Sequence, residues 1–293
     1  MKGKNAAFLW STIHSIGDTL EEKLLLKFNE AQYLFWVNLM IGIFVCIFSL
    51  FSSIEMSIIS FCVIILYAFA MVGGDFCYAK AIQTLPIGLA NLIDSGSLFL
   101  ILLCDIFLGY IKPKFIFFVL FAIFFIAIYV FSYETNKMKN EITNKKIDLK
   151  NIFILITSTI FYASEPYFLK LATSKGGNEY GINLVFYLAS IPIYYALLHH
   201  EKKKGNVEKI KKKDRKSFFG NILLLGGVYS VTTILSTLAY ATGTPIIITL
   251  IMKLQLFIVV IISVVRKTDK MNFKKTISLL VGVVCIVLMT LMS

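Results

Sequence analysis

Apolar residues fall along the chain in ten long runs, at roughly 5–27, 31–51, 57–80, 86–110, 114–132, 151–172, 181–199, 217–242, 245–265 and 275–292. Each is close to the roughly 20 residues that a helix needs to cross the hydrocarbon of a bilayer, and none shows the strict alternation of a membrane-barrel strand. The pattern predicts an all-α polytopic membrane protein of about ten transmembrane helices. The longest polar breaks, Tyr133 to Lys150 and His199 to Lys216, are lysine-rich. The first separates five runs from five, which gives a first unit over 1–132, a polar linker over 133–150 and a second unit over 151–293.

An equal division invites a search for repeats. Placing STIHSIGDTLEEKLL (Ser11 to Leu25) over STIFYASEPYFLKLA (Ser158 to Ala172) matches the three leading residues, and then Asp18 with Glu165, Lys23 with Lys170 and Leu24 with Leu171. A second register lays TLPIGLANLID (Thr84 to Asp94) over GTPIIITLIMK (Gly243 to Lys253), pairing Pro86 with Pro245 and Asp94 with Lys253. Five spans is an odd number, so the halves cross the membrane in opposite directions, as an inverted repeat.

Composition strengthens the membrane reading, with 58% hydrophobic residues and a mean hydropathy of +0.80. The formal charge of +12 sits in short tracts between apolar runs rather than in a domain-sized patch, which points to anionic lipid headgroups and away from nucleic acid. Cys46, Cys62, Cys77, Cys104 and Cys285 all lie in apolar runs without CxxC or Cys/His spacing, and read as small packing residues. The start, MKGKNAAFLW, is basic like a signal peptide, but its apolar run is broken by Ser, His and Asp, so it reads as a retained span.

The blocks YAKAIQTLPIGLANLIDSGSLFLILLCDIFLGY (78–110) and LAYATGTPIIITLIMKLQLFIVVIISVVRKTDK (238–270) resemble the closing segments of the paired EamA domains in the drug/metabolite transporter superfamily. The resemblance implies two inverted five-helix bundles around a substrate cavity lined mainly by the first, third and fourth helices of each half. The chain departs from that family's pattern in places. The acidic residue after the fourth helix is at best Asp105, with Asp269 in the second half, and the fifth-helix glycine survives only as Gly282.

Charged groups inside the spans are the candidates for chemistry, because an ionised side chain at mid-bilayer costs about 2.5–3.5 kcal/mol on insertion scales. Asp18 and Glu165 are matched by the repeat and read as cavity carboxylates that bind protons or a cation; the plainer alternative is a wet first turn for Asp18 and a pair with Lys170 for Glu165. Asp94, with Asn91 and Ser97 on its face, stands opposite Lys253, which has Gln255 nearby. These two charges pair across a cavity, bind the ends of a zwitterion or simply fix packing. Asp75 follows Gly73 and Gly74, which allow close helix contact. His14 lies one turn before Asp18 and forms with it a candidate proton relay. Pro166, after Glu165, frees the carbonyl of Tyr162 and predicts a kink. Trp10, Tyr162 and Tyr240 are candidate aromatic lining. Glu21 and Glu22 are expected near the interface, paired with Lys23 and Lys27.

No metal-ligand spacing, phosphate-binding glycine loop or nucleophile motif is present, so neither a cofactor, a metal nor an enzymatic activity is expected. The expectation is secondary active transport of a small organic solute, such as a metabolite, amino acid or amine, by alternating access with proton coupling or exchange. A membrane-embedded lipid-modifying enzyme and a nontransporting scaffold or sensor are the alternatives. The expected setting is a bacterial cytoplasmic membrane, with anionic lipids at the basic loops and a monomer or homodimer. The loops at 133–150, 199–216 and 266–275 carry five, nine and five basic residues and lie opposite the termini in a ten-span layout. Loop charge alone thus places both termini outside, whereas the family resemblance implies that they are cytoplasmic.

Overall fold

The computed structural model describes residues 2–25, 28–85, 93–138, 149–207, 210–265 and 271–292. Every regular element among them is a helix: α1 (Lys2–Leu25), α2 (Glu30–Leu50), α3 (Ile58–Thr84), α4 (Ser97–Phe107), α5 (Phe115–Met138), α6 (Leu149–Ser174), α7 (Glu179–Lys203), α8 (Lys212–Thr242), α9 (Pro245–Met252), α10 (Leu254–Val265) and α11 (Phe273–Leu291). Among the described residues, eight helical segments are long and apolar enough to cross a membrane, counting α9 and the start of α10 as one. Large apolar side chains such as Phe107, Phe115, Phe153 and Phe273 are exposed on the outside, as a lipid solvent permits. The apolar helices fit an integral membrane protein.

Local chemistry sets the helix starts. The side chains of Asn29, Ser57, Asn178 and Asn272 accept hydrogen bonds from first-turn N–H groups of α2, α3, α7 and α11. Pro245 opens α9, where a missing N–H costs nothing. The next donor of α9, Ile246 N, bonds Asp105 Oδ2 at 2.8 Å, and Tyr167 Oη donates to Asp105 Oδ1 at 2.8 Å. Asp105, expected only as a family remnant, is thus a fully buried cap that ties α4 to α6 and α9.

Packing follows a regular plan. α1 runs along α8, α3 along α6, α2 along α7 and α5 along α11. α2 also packs on α8 and α3 on α7, while α1 touches α9 and α10, and α6 touches α4. The connections interlock: Asn178 Nδ2 donates to Ser53 O at 2.7 Å, Lys4 Nζ to Thr290 O at 3.0 Å and Asn272 Nδ2 to Glu134 Oε2 at 2.7 Å.

Two expected spans are interrupted. The chain turns at Ser95 and Gly96 before α4, with Gly96 N donating to Ile93 O at 2.8 Å, and residues 86–92 of that span, including Asn91, lie outside the described residues. The ninth span breaks at Lys253, where Leu256 N bonds back to Lys253 O at 3.1 Å in a tighter turn. Hydropathy is continuous through both places, so the apolar pattern gives no sign of them. The eighth span begins earlier than its apolar run, at Lys212, because a polar first turn extends α8. Pro166 lies inside α6, which continues without interruption past it.

Candidate functional site

A cavity of about 500 Å³ opens within the bundle, and ten of the eleven described helices contribute to its wall, all except α11. His14, Asp18 and Glu21 recur on one face of α1 at spacings of four and three, so all three reach it. His14 Nε2 lies 3.3 Å from Asp18 Oδ1, and its Nδ1 lies 3.3 Å from Thr232 Oγ1 on α8. The imidazole is stacked between Trp10 and Tyr229, with centroids at 4.2 and 4.7 Å. Tyr229 Oη donates to Glu21 Oε2 at 2.5 Å and sits 3.4 Å from Asp18 Oδ1. Gly17 makes this contact possible, because a Cβ there would fall within the Tyr229 ring.

The α3–α6 contact is built in a similar way. Gly74 brings α3 against Phe161 and Tyr162, and Tyr162 Oη donates to Asp75 Oδ1 at 2.9 Å. Tyr194 of α7 donates to the other oxygen, Asp75 Oδ2. Glu165 faces the cavity beside the Tyr67 hydroxyl and within electrostatic reach of Asp75 and Lys253. Lys253 Nζ lies 2.7 Å from Asp94 Oδ2, and the side chains are only 13% and 19% exposed. Lys253 thus sits at the break in its span, and Asp94 immediately precedes the turn at Ser95 and Gly96.

The structure brings together His14, Asp18, Asp75, Asp94, Tyr162, Glu165 and Lys253, with Trp10 and Tyr240, on one wall-to-wall surface. Asn91 lies outside the described residues. Glu21 is a correction: it faces the cavity rather than the interface, because its spacing from Asp18 puts it on the same side of α1. The side chains of Glu22 and Lys23, and all of Lys27, lie outside the described residues. Sequence reasoning also missed Tyr194 and Tyr229, which donate to Asp75 and Glu21, and Tyr33 and Tyr67, whose hydroxyls stand beside Glu21 and Glu165. The 14, 18, 21 spacing was the available signal for Glu21, whereas the tyrosines carry none in a chain with 14 of them. Among the described residues, no three His, Cys, Asp or Glu side chains are grouped as a metal site.

No family model and no curated protein matches the chain. Solved structures do share its fold. One, described only as the crystal structure of a protein, superposes with a TM-score of 0.68 over 99% of this chain and 94% of its own, at 13% identity. At that identity the likeness establishes the shared fold alone.

Proposed function

We propose that this protein is a secondary active transporter of a small organic solute, of the drug/metabolite transporter type, working by alternating access between two inverted five-helix halves. The observation that carries this reading is the convergence of five carboxylates, Lys253 and His14 on one cavity in a bundle of apolar helices. Its volume of about 500 Å³ suits a small molecule. Buried charges in a membrane bundle are costly, and their usual use is a substrate or proton path.

The packing plan supports the repeat. Exchanging the first five spans for the second five turns the α1–α8 contact into α6–α3, α2–α8 into α7–α3, and α1–α9 into α6–α4. The α2–α7 and α5–α11 contacts map onto themselves. Taking α9 and α10 as one span, and adding α1 and α4 to the remaining apolar helices, gives ten. Asp18 and Glu165 are the proton-carrying candidates, and the Asp94–Lys253 pair joins the halves across the cavity. The protein works in this reading as a monomer or homodimer in a bacterial cytoplasmic membrane, its basic connections lying against anionic headgroups.

The test is uptake or efflux of radiolabelled amines, amino acids, nucleosides and sugars in proteoliposomes under an imposed proton gradient. Asp18→Asn and Glu165→Gln are expected to abolish the response to the gradient. Unchanged gradient-driven transport in both variants overturns the proton scheme, and no flux of any compound overturns the transporter reading.

A further inference from the structure

The polar groups of the cavity are unequal in how far the protein itself satisfies them. Asp94 is engaged by Lys253 at 2.7 Å, and Asp75 is held by two tyrosine hydroxyls. That leaves Asp18, Glu21 and Glu165. Asp18 and Glu21 share one hydroxyl, that of Tyr229, with His14 as the further neighbour of Asp18, and Lys253, the one lysine on the described wall, is already paired. Five carboxylates against one ammonium leave four negative charges when all are ionised. An anion entering this space meets repulsion, and a zwitterion finds no unengaged lysine for its carboxylate among the described residues.

A second observation points to what is missing. Tyr33 lines the cavity at 1% exposure beside Glu21, and among the described residues no hydrogen-bond partner is aligned on its hydroxyl. The buried Gln255 Oε1 oxygen, which also lines the cavity, likewise has no hydrogen-bond partner among the described residues. Unfilled acceptors in an apolar bundle are expensive, and both are suited to an N–H donor. The rings of Trp10, Tyr67 and Tyr240 give the same space faces that attract a cation.

We propose that the cavity is selective for an organic amine in its ammonium form, which docks against Asp18 and Glu21 with the Tyr33 hydroxyl accepting one of its N–H groups. This rests on the transporter reading for the role of the cavity. It does not depend on it for the chemistry of binding.

Trp10 supplies a direct readout. The chain has two tryptophans, and Trp36 stands outside the cavity wall against Phe219, so Trp36→Phe leaves Trp10 as the sole indole. The full-length Trp36→Phe protein in nanodiscs is titrated with n-butylamine, 1,4-diaminobutane and tetraethylammonium, and with n-butanol and butyrate for comparison. Saturable changes in Trp10 emission are expected with the primary amines and not with butanol or butyrate. Adding Glu21→Gln is expected to raise Kd about tenfold. Adding Tyr33→Phe, which removes only an unpartnered hydroxyl, is expected to raise Kd severalfold without moving the thermal unfolding midpoint. No saturable response to either primary amine, an equal response to butyrate, or unchanged affinity in both added variants overturns the inference. Amine binding without flux in proteoliposomes overturns the transporter reading and leaves the cation site standing. Flux of an acid or sugar without amine binding does the reverse.

Discussion

α1 and α3 carry three of the cavity's carboxylates, Asp18, Glu21 and Asp75, beside His14, Tyr67 and Tyr78; α6 and α8 present chiefly hydroxyls, among them Tyr162 and Tyr229. Glu165 of α6 is the exception. The two helix contacts, α1 with α8 and α3 with α6, are packed alike, each through a glycine facing a tyrosine. At these two contacts the chemistry is complementary, since α1 and α3 bring the acids and α8 and α6 bring hydroxyls that donate to them. Glu21 and Asp75 therefore depend on the helix each packs against. Similar packing with opposite polar roles gives the cavity its asymmetry.

This comparison is most severely tested at the Asp94–Lys253 ion pair in the cavity wall. Lys253→Met strands Asp94 in the bundle, and is expected to cost about 3–5 kcal/mol in denaturant unfolding of the detergent-solubilised protein. The double variant Asp94→Asn/Lys253→Met is expected to recover most of that loss. Equal stability of parent and single variant would show that the pair is not what holds the spans together. Next come the glycines. Gly17→Ala must displace the buried Tyr229 ring, at about 1–3 kcal/mol, and release Glu21. Gly74→Ala, where a Cβ would stand 3.1 Å from Phe161 Cβ, is expected to cost less. If the two cost the same by thermal unfolding, the contacts are more alike than their geometry indicates. The smallest effects are at the hydroxyls. Tyr229→Phe removes the donor to Glu21, for about 1.5 kcal/mol, whereas Tyr162→Phe leaves Asp75 its bond from Tyr194, for about 0.5–1 kcal/mol.

The helices themselves are legible because lipid exposure forces long apolar runs, and Asp18, Glu165, Asp94 and Lys253 stand out where the chain is aligned with itself. Glu21 was not found because its counterpart in that alignment is Phe168, so a search for repeated charges passes over it. The tyrosine donors were invisible for a related reason: Tyr229 and Tyr194 are identified by which helix they meet, and α1–α8 contact joins residues some 200 positions apart. The breaks at Ser95–Gly96 and Lys253 were hidden by uninterrupted hydropathy. A charge flanked by apolar residues does not by itself reveal that the backbone turns there.

The long separation between α1 and α8 also bears on the order in which the protein is made. Glu21 emerges from the ribosome well before Tyr229, with 208 residues between their positions by subtraction. At about 5–20 residues per second, that is a wait on the order of 10–40 s. During it α1 carries two acids with no donor from α8 to receive them, each costing about 2.5–3.5 kcal/mol at mid-bilayer. Although α1 is made well before α8, it thus gains the donor for its acids only once α8 has been made, which places the α1–α8 contact late in assembly.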